Sequence, residues 1–296
     1  METILVVGGD SLLGYALAKK LRTGSRRTIS TSRRETRLQA DGVYRLDLIE
    51  SLPQWVTGIA ASCAFLCAAV TRIRESESNP EYARLVNVTR TVELAEALMS
   101  RGTFVVFPSS TAVFAADSGD ARESSPVAPE TTYGRLKAEA EQELLHRARR
   151  CRAPGGTAIV RITKVVSCSK EPFRDWLPAL SAGRAIEPYS DLAFSPVSLA
   201  YAVEGLLAIA RLRRTGVYHL SGATALTYSQ FAFMIAEALG VDRSLIVPVP
   251  RHAAGGQGPH PVRPALDMRE TSPLLGVFPQ PSHEVAEQLV REYRGR

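Results

Sequence analysis

Along the first two-thirds of the chain, short apolar and β-branched runs alternate with stretches whose apolar residues recur every three or four positions. The runs Ile4–Val7, Thr28–Thr31, Val43–Leu46, Cys63–Cys67, Thr103–Phe107 and Thr157–Arg161 have the length and residue types of buried strands. Between them, Leu12–Leu21, Glu81–Met99 and Tyr133–Arg149 carry an apolar stripe at helical spacing. This alternation predicts βαβ units, hence an α/β chain with a doubly wound parallel sheet of the Rossmann type. After Ile162 the pattern loosens and Pro and Gly become frequent, with a helix over Leu199–Ala210 and a strand over Val217–Leu220. The simplest division is a Rossmann domain from 1–165 plus about 196–221, and a smaller C-terminal lobe from about 166–195 and 222–296. The HAAGGQGPHP segment at 252–261 reads as an exposed loop.

Composition narrows the class. With 296 residues, 45% hydrophobic and 22% charged, the chain can bury a large core. The net charge of +6 comes from 31 Arg and 5 Lys against 30 acidic residues, and the Arg are scattered, so no nucleic-acid footprint is expected. The N-terminal run ILVV is short and is broken at once by Gly8, Gly9 and Asp10, unlike a signal peptide, and no other stretch could span a bilayer. Cys63, Cys67, Cys151 and Cys168 form no CxxC pair and have no His at ligand spacing. A reduced, cytoplasmic protein without a metal and without a membrane partner is expected.

The segment ILVVGGDSLLG sets a strand, a glycine-bearing turn and a helix start in the order that a dinucleotide pyrophosphate needs. Gly8, Ser11, Leu12, Leu13 and Gly14 are the candidate cofactor residues of this loop. Against the GxxGxxG pattern, Ser11 replaces the middle glycine, so its hydroxyl must point away or hydrogen-bond a phosphate oxygen. Asp10 must then face solvent. The second strand ends in Ser32, Arg33 and Arg34, with no carboxylate for a ribose 2′-hydroxyl. A hydroxyl and two guanidinium groups suit a 2′-phosphate, which predicts NADP(H) over NAD(H).

Further along stand VVFPSSTAVFA and TTYGRLKAEAEQELL. Tyr133 and Lys137 lie four apart and share one helical face, and Ser110 precedes them just after a strand. The order of glycine loop, Ser110, Tyr133 and Lys137 points to a catalytic set rather than to an incidental helix pair.

On these residues the chain resembles the extended short-chain dehydrogenase/reductase family, and within it the dTDP-4-dehydrorhamnose reductase-like branch. CAAV at 67–70, LVNVTRT around Asn87, FSPVSL at 194–199, GVYHLSG at 216–222 and RPALDMRE at 263–270 extend the resemblance over nearly the whole chain. It implies that Ser110, Tyr133 and Lys137 form a catalytic triad. Tyr133 would give its proton to a carbonyl oxygen, Ser110 would hold that oxygen, and Lys137 would lower the phenol's pKa and bind the nicotinamide ribose. It further implies that Asp47 and Leu48 meet the adenine and that Ala68 and Ala69 line the cofactor. Thr71, Arg72, Lys164 and Arg263 are the substrate candidates, Arg263 in the position of family arginines that hold a diphosphate.

The implied activity is NADPH-dependent reduction of a keto group on a nucleotide-linked deoxysugar. Thr111 and Ala112 stand where the family's dehydratases carry an Asp-Glu pair, which disfavours dehydration. Three alternatives stay open: a sugar-nucleotide 4-epimerase, a reductase of a small non-nucleotide substrate, and an NADP-binding regulatory subunit resembling that of methionine adenosyltransferase. Trp176 and Phe173 in FRDWLPAL suit packing more than stacking on a base. By resemblance, the long helices over Glu81–Met99 and Tyr133–Arg149 would pair two copies into a homodimer.

Overall fold

The computed structural model describes residues 2–24, 26–34, 42–115, 119–151, 155–251 and 265–295. The chain opens with β1 (Thr3–Val7), α1 (Leu12–Arg22), β2 (Arg27–Ser32), β3 (Val43–Arg45), α2 (Gln54–Thr57) and β4 (Cys63–Leu66). Then come α3 (Ile73–Ser78), α4 (Pro80–Arg84), α5 (Thr91–Ser100), β5 (Phe104–Ser110), α6 (Thr132–Arg150) and β6 (Thr157–Ile162). The remainder comprises β7 (Lys164–Val166), α7 (Phe173–Ser181), β8 (Ala193–Phe194), β9 (Pro196–Ser198), α8 (Leu199–Leu212), β10 (Gly216–Leu220), β11 (Leu226–Thr227), α9 (Tyr228–Leu239), α10 (Thr271–Leu275) and α11 (Ser282–Arg294).

Seven strands form one sheet in the order β10-β6-β5-β4-β1-β2-β3. The pairs β3–β2, β2–β1, β1–β4 and β4–β5 are parallel. The order reverses between β1 and β4, which is the doubly wound pattern and creates a crevice at the carboxyl ends of those two strands. The strands read as continuous apolar runs because helices cover the sheet: Leu5, Val6, Ala64, Phe65, Val105 and Val106 are fully buried. Leu17 of α1, Leu94 and Leu98 of α5 and Leu144 of α6 are likewise sealed from solvent, each burial worth about 1.5–3 kcal/mol.

The chain divides into two compact units, residues 1–114, 126–161 and 203–218 in the first, and 115–125, 162–202 and 219–296 in the second. The second has its own core, in which Phe173, Phe194, Tyr228 and Phe231 pack ring against ring and Trp176 meets Phe173 edge-on at 5.6 Å.

Two elements differ from the sequence expectation. The helical stripe over Glu81–Met99 is not one α-helix, because Leu85–Arg90 forms a π-helical turn between α4 and α5. The widened turn is stabilised by Thr91, whose hydroxyl donates to the Val86 carbonyl at 2.8 Å, and it carries buried Asn87. One residue of extra winding leaves the apolar spacing nearly intact, so the periodicity could not reveal it. The strand expected over Thr103–Phe107 runs on to Ser110, through Pro108. Its ladder with β4 ends at the Phe65–Val106 pair, so proline's missing N–H falls beyond that pairing.

Candidate active site

The glycine turn after β1 is built by exclusion. A Cβ on Gly8, whose φ is +82°, would stand 2.6 Å from the backbone nitrogen of Ala68, and one on Gly14 would stand 2.2 Å from the Gly8 carbonyl. Gly8 and Ala68 follow β1 and β4, so this contact lies at the crevice where the strand order reverses. Gly9 is a third close approach, with a Cβ placed 2.8 Å from Ser30 and its N–H bonded to the Thr31 carbonyl at 2.7 Å. The sequence reading passed over Gly9, although the Gly-Gly pair was the available signal.

Ser11 keeps its hydroxyl within the turn. Its hydroxyl turns inward, donates to the Gly8 carbonyl at 2.7 Å and accepts from the Gly14 N–H at 3.1 Å, making Ser11 the N-cap of α1. The reason is local: an extended residue before a helix places its side-chain oxygen over the first orphan N–H groups. The loop therefore uses the N–H groups of Gly8, Gly9, Ser11 and Gly14 internally. Leu12 and Leu13, in the first turn of α1, have no carbonyl one helical turn earlier within the helix, so their N–H groups face the end of the dipole that favours an anion.

At the end of β2, Thr31 accepts the Gly8 N–H at 3.0 Å, and Ser32 is buried with its hydroxyl accepting the Arg34 N–H at 2.9 Å. Arg33 and Arg34 are exposed. Asp10 is not turned freely to solvent, as the sequence reading required, but is mostly buried and lies 3.5 Å from the Arg34 guanidinium. A cation one strand away is the cheaper way to neutralise it. Arg33 donates to the Tyr82 hydroxyl at 3.3 Å. Asp47 and buried Leu48 follow β3, Asp47 accepting the Ile49 N–H at 3.2 Å.

Beyond β4, the CAAV segment is clamped by Asn87, which accepts the Val70 N–H at 2.8 Å and donates to the Val70 carbonyl at 2.9 Å. Ala68 and Ala69 are half-buried, while Thr71 and Arg72 are exposed just ahead of α3.

Pro108, Ser109 and Ser110, at the end of β5, meet α6. Lys137 donates its Nζ hydrogen to the Pro108 carbonyl at 2.9 Å, and the ammonium sits 4.2 Å from the centroid of the Phe107 ring. Ser110 is half-buried and caps the short 3₁₀ turn Thr111–Val113 by accepting the Ala112 N–H at 3.2 Å. Gly134, directly after Tyr133, is where that turn presses on the helix, since a Cβ there would lie 2.0 Å from the Ala112 carbonyl. Thr131 caps α6 by accepting the Gly134 N–H at 3.1 Å. Tyr133 and Lys137 are both buried. Burial pulls the Lys137 ammonium down to about 8, against the upward pull of Glu141 and Cys67. Sequence reasoning missed Glu141 and Arg161, a buried ion pair at 2.8 Å behind Lys137.

Lys164 is exposed at the start of β7 in the second unit, its N–H bonded to the Ser195 carbonyl at 3.0 Å. Arg263 and the 252–261 segment lie outside the described residues. Among the described residues no cluster of three or more His, Cys, Asp or Glu could hold a metal ion, and no helix is long and apolar enough to cross a membrane.

The family model for the RmlD substrate binding domain matches residues 1–294. The chain belongs to the RmlD family. Methionine adenosyltransferase 2 subunit beta from Xenopus tropicalis is 25% identical over 273 residues, covering 89% of this chain and 79% of the relative. A dTDP-4-keto-6-deoxy-D-glucose reductase from Streptomyces niveus is 27% identical over 259 residues, covering 86% and 84%. Among solved structures, a dTDP-4-dehydrorhamnose reductase from Bacillus anthracis in complex with NADP superposes with a TM-score of 0.81 at 20% identity, over 98% of this chain and 99% of the other. The RmlD family relation thus reaches across both units, and the shared architecture is the Rossmann fold expected from the strand–helix alternation.

Proposed function

We propose that this chain is an NADPH-dependent reductase of a keto group on a nucleotide-linked deoxysugar. The observation that carries the reading is the joining of the β5 end to α6, where Lys137 bonds Pro108 and Gly134 meets Ala112, so that Ser110 and Tyr133 belong to one rigid corner. The similarity to a sugar-nucleotide keto reductase over most of both chains supports the substrate class. The close packing that Gly8, Gly9 and Gly14 allow against Ala68, Ser30 and the Gly8 carbonyl draws the start of α1 up to the ends of β1 and β4, which fits a dinucleotide whose pyrophosphate lies at a helix N-terminus.

The N–H groups of Leu12 and Leu13 would hold the pyrophosphate, with Gly8 and Gly14 letting the turn close tightly enough to present them. Ser32, Arg33 and Arg34 would hold the 2′-phosphate, Asp47 and Leu48 the adenine, and Ala68 and Ala69 the adjoining face. Bound NADPH supplies the reducing equivalent. Ser110 donates a hydrogen bond to the substrate carbonyl oxygen, and Tyr133 delivers the proton to that oxygen. Lys137, positively charged below about 8, would stabilise the phenolate that Tyr133 becomes and would be the residue that holds the cofactor ribose. Thr71, Arg72, Lys164 and Arg263 are the proposed substrate contacts. The four free cysteines suit a reducing cytoplasm, and a homodimer would pair two copies through α5 and α6.

The test is fluorescence titration of wild type and Tyr133→Phe with NADPH and NADH, followed by dTDP- and UDP-linked 4-keto-6-deoxy sugars while nicotinamide oxidation is recorded. NADPH binding to both proteins with oxidation by wild type alone is expected. Binding without oxidation across the panel overturns the reductase reading in favour of the regulatory role suggested by the methionine adenosyltransferase relative. Failure to bind either dinucleotide removes the cofactor assignment itself.

A further inference from the structure

Ser109 and Phe114 flank the Ser110 turn, and both are gripped by one buried ion pair that the proposed chemistry does not use. Ser109 donates its hydroxyl hydrogen to Glu141 Oε1. Arg161 of β6 holds the same carboxylate from the other side, Nη2 to Oε2 at 2.8 Å and Nε to Oε2 and Oε1 at 3.1 and 3.3 Å. The Arg161 guanidinium also lies 4.8 Å from the centroid of the Phe114 ring. Glu141 and Arg161 are 3% and 5% exposed, too buried for water to replace any of these contacts. On α6, Glu141 lies one turn beyond Lys137 and so on the same face.

We propose that Glu141 is the positioning residue of this site: through Ser109 and Arg161 it holds the segment 109–114 against α6, and it is the counter-charge of the buried Lys137 ammonium. The inference rests on Lys137 and Ser110 being the working residues proposed above. The groups that face Lys137 are few. From β5 come the Phe107 ring and the Pro108 carbonyl; Glu141 and Tyr133 lie one turn away on the same face of α6, and Glu141 and the Cys67 thiol beyond β4 are the titratable groups that act on its charge. Burial pushes Cys67 up to about 12, so the thiol carries no charge at neutral pH. Arg161 adds a second cation behind the same carboxylate. Glu141 is therefore the anion that Arg161 holds directly and that raises the Lys137 ammonium against its burial, and removing its charge takes that support away.

The test exploits a sparse label, because the chain has lysines only at 19, 20, 137, 164 and 170. In protein labelled with ¹³C and ¹⁵N lysine, Lys137→Met assigns the Lys137 resonance, and its titration is followed by NMR without cofactor or substrate. Glu141→Gln is expected to lower the Lys137 midpoint by about one unit or more and to move the alkaline limb of kcat/KM to lower pH with it. Ser109→Ala keeps the charge and cuts the strand link, so it is expected to lower kcat about tenfold or more while leaving the Lys137 midpoint in place. Glu141→Asp, which restores the charge, is expected to bring the midpoint back. A folded Glu141→Gln protein with an unchanged Lys137 midpoint overturns the proposal. Should Glu141→Gln fail to fold, Ser109→Ala decides, and wild-type kcat in that variant overturns it. A shifted midpoint in a protein that turns over no sugar nucleotide leaves the coupling of Glu141 to Lys137 standing and removes the reductase reading instead.

Discussion

The Ala112 carbonyl oxygen stands 2.0 Å from the point where a Cβ on Gly134 would be, so the residue after Tyr133 has no room for a side chain. The contact presses the turn after Ser110 onto the helix that bears Tyr133 and Lys137. Gly134→Ala is expected to force the two apart, destabilising the protein by about 1–3 kcal/mol, as overpacking does. A displacement near 1 Å at Ser110 is expected to lower kcat/KM about 100-fold. Thermal unfolding and steady-state kinetics check both; an Ala variant with wild-type activity would show that Ser110 does not depend on this approach.

Lys137 titrates in the working range. Its charged form is the protonated one, and burial brings its pKa down to about 8, so the charge is lost as pH rises through that value. NADPH affinity and kcat/KM are expected to fall on the alkaline side of about 8. In Lys137→Arg, which stays charged, that limb is expected to vanish whatever the residual rate. A pH–rate profile of the two proteins is the measurement.

Ser11 is engaged with its own helix, so its loss is a matter of stability more than of binding. Ser11→Ala removes a cap joining Gly8 and Gly14 and is expected to cost about 1 kcal/mol, whereas Ser11→Gly costs only a few tenths. NADPH affinity is expected to change less than about threefold in either, since the hydroxyl is engaged by Gly8 and Gly14; a difference of 1.4 kcal/mol would be tenfold. Calorimetry of the apo proteins and NADPH titration separate the two effects.

Arg34, in ion pair with Asp10, is expected to decide between the two dinucleotides. Arg34→Ala is expected to weaken NADPH about tenfold or more through loss of a charge-assisted phosphate contact, with NADH affinity unchanged. Equal losses for both would move the 2′-phosphate away from the end of β2.

Much of this was readable from residue order. The ILVVGG run announced β1 and its turn, and the recurrence of apolar residues announced α1 and α6 at nearly their observed bounds. The π-helical turn at Leu85–Arg90 was not readable, because one added residue barely disturbs the apolar stripe, and with it went the clamp that Asn87 places on Val70. For Ser11 the pattern leaves two outcomes, pointing away or bonding a phosphate oxygen; its capping role depends on the φ,ψ of an extended residue before a helix, which spacing alone does not specify.

By itself the sequence determined the strand–helix alternation, the place of the glycine turn and the shared helical face of Tyr133 and Lys137, since these follow from periodicities of two and 3.6 residues within continuous chain. What only the tertiary structure decided are the contacts between segments far apart in sequence. Ala68 against Gly8, Pro108 against Lys137, and Arg161 with Ser109 around Glu141 all arise where parallel strands end together. Strand order and register set those meetings, and they are settled by packing of the whole sheet against its helices rather than by any local run of residues.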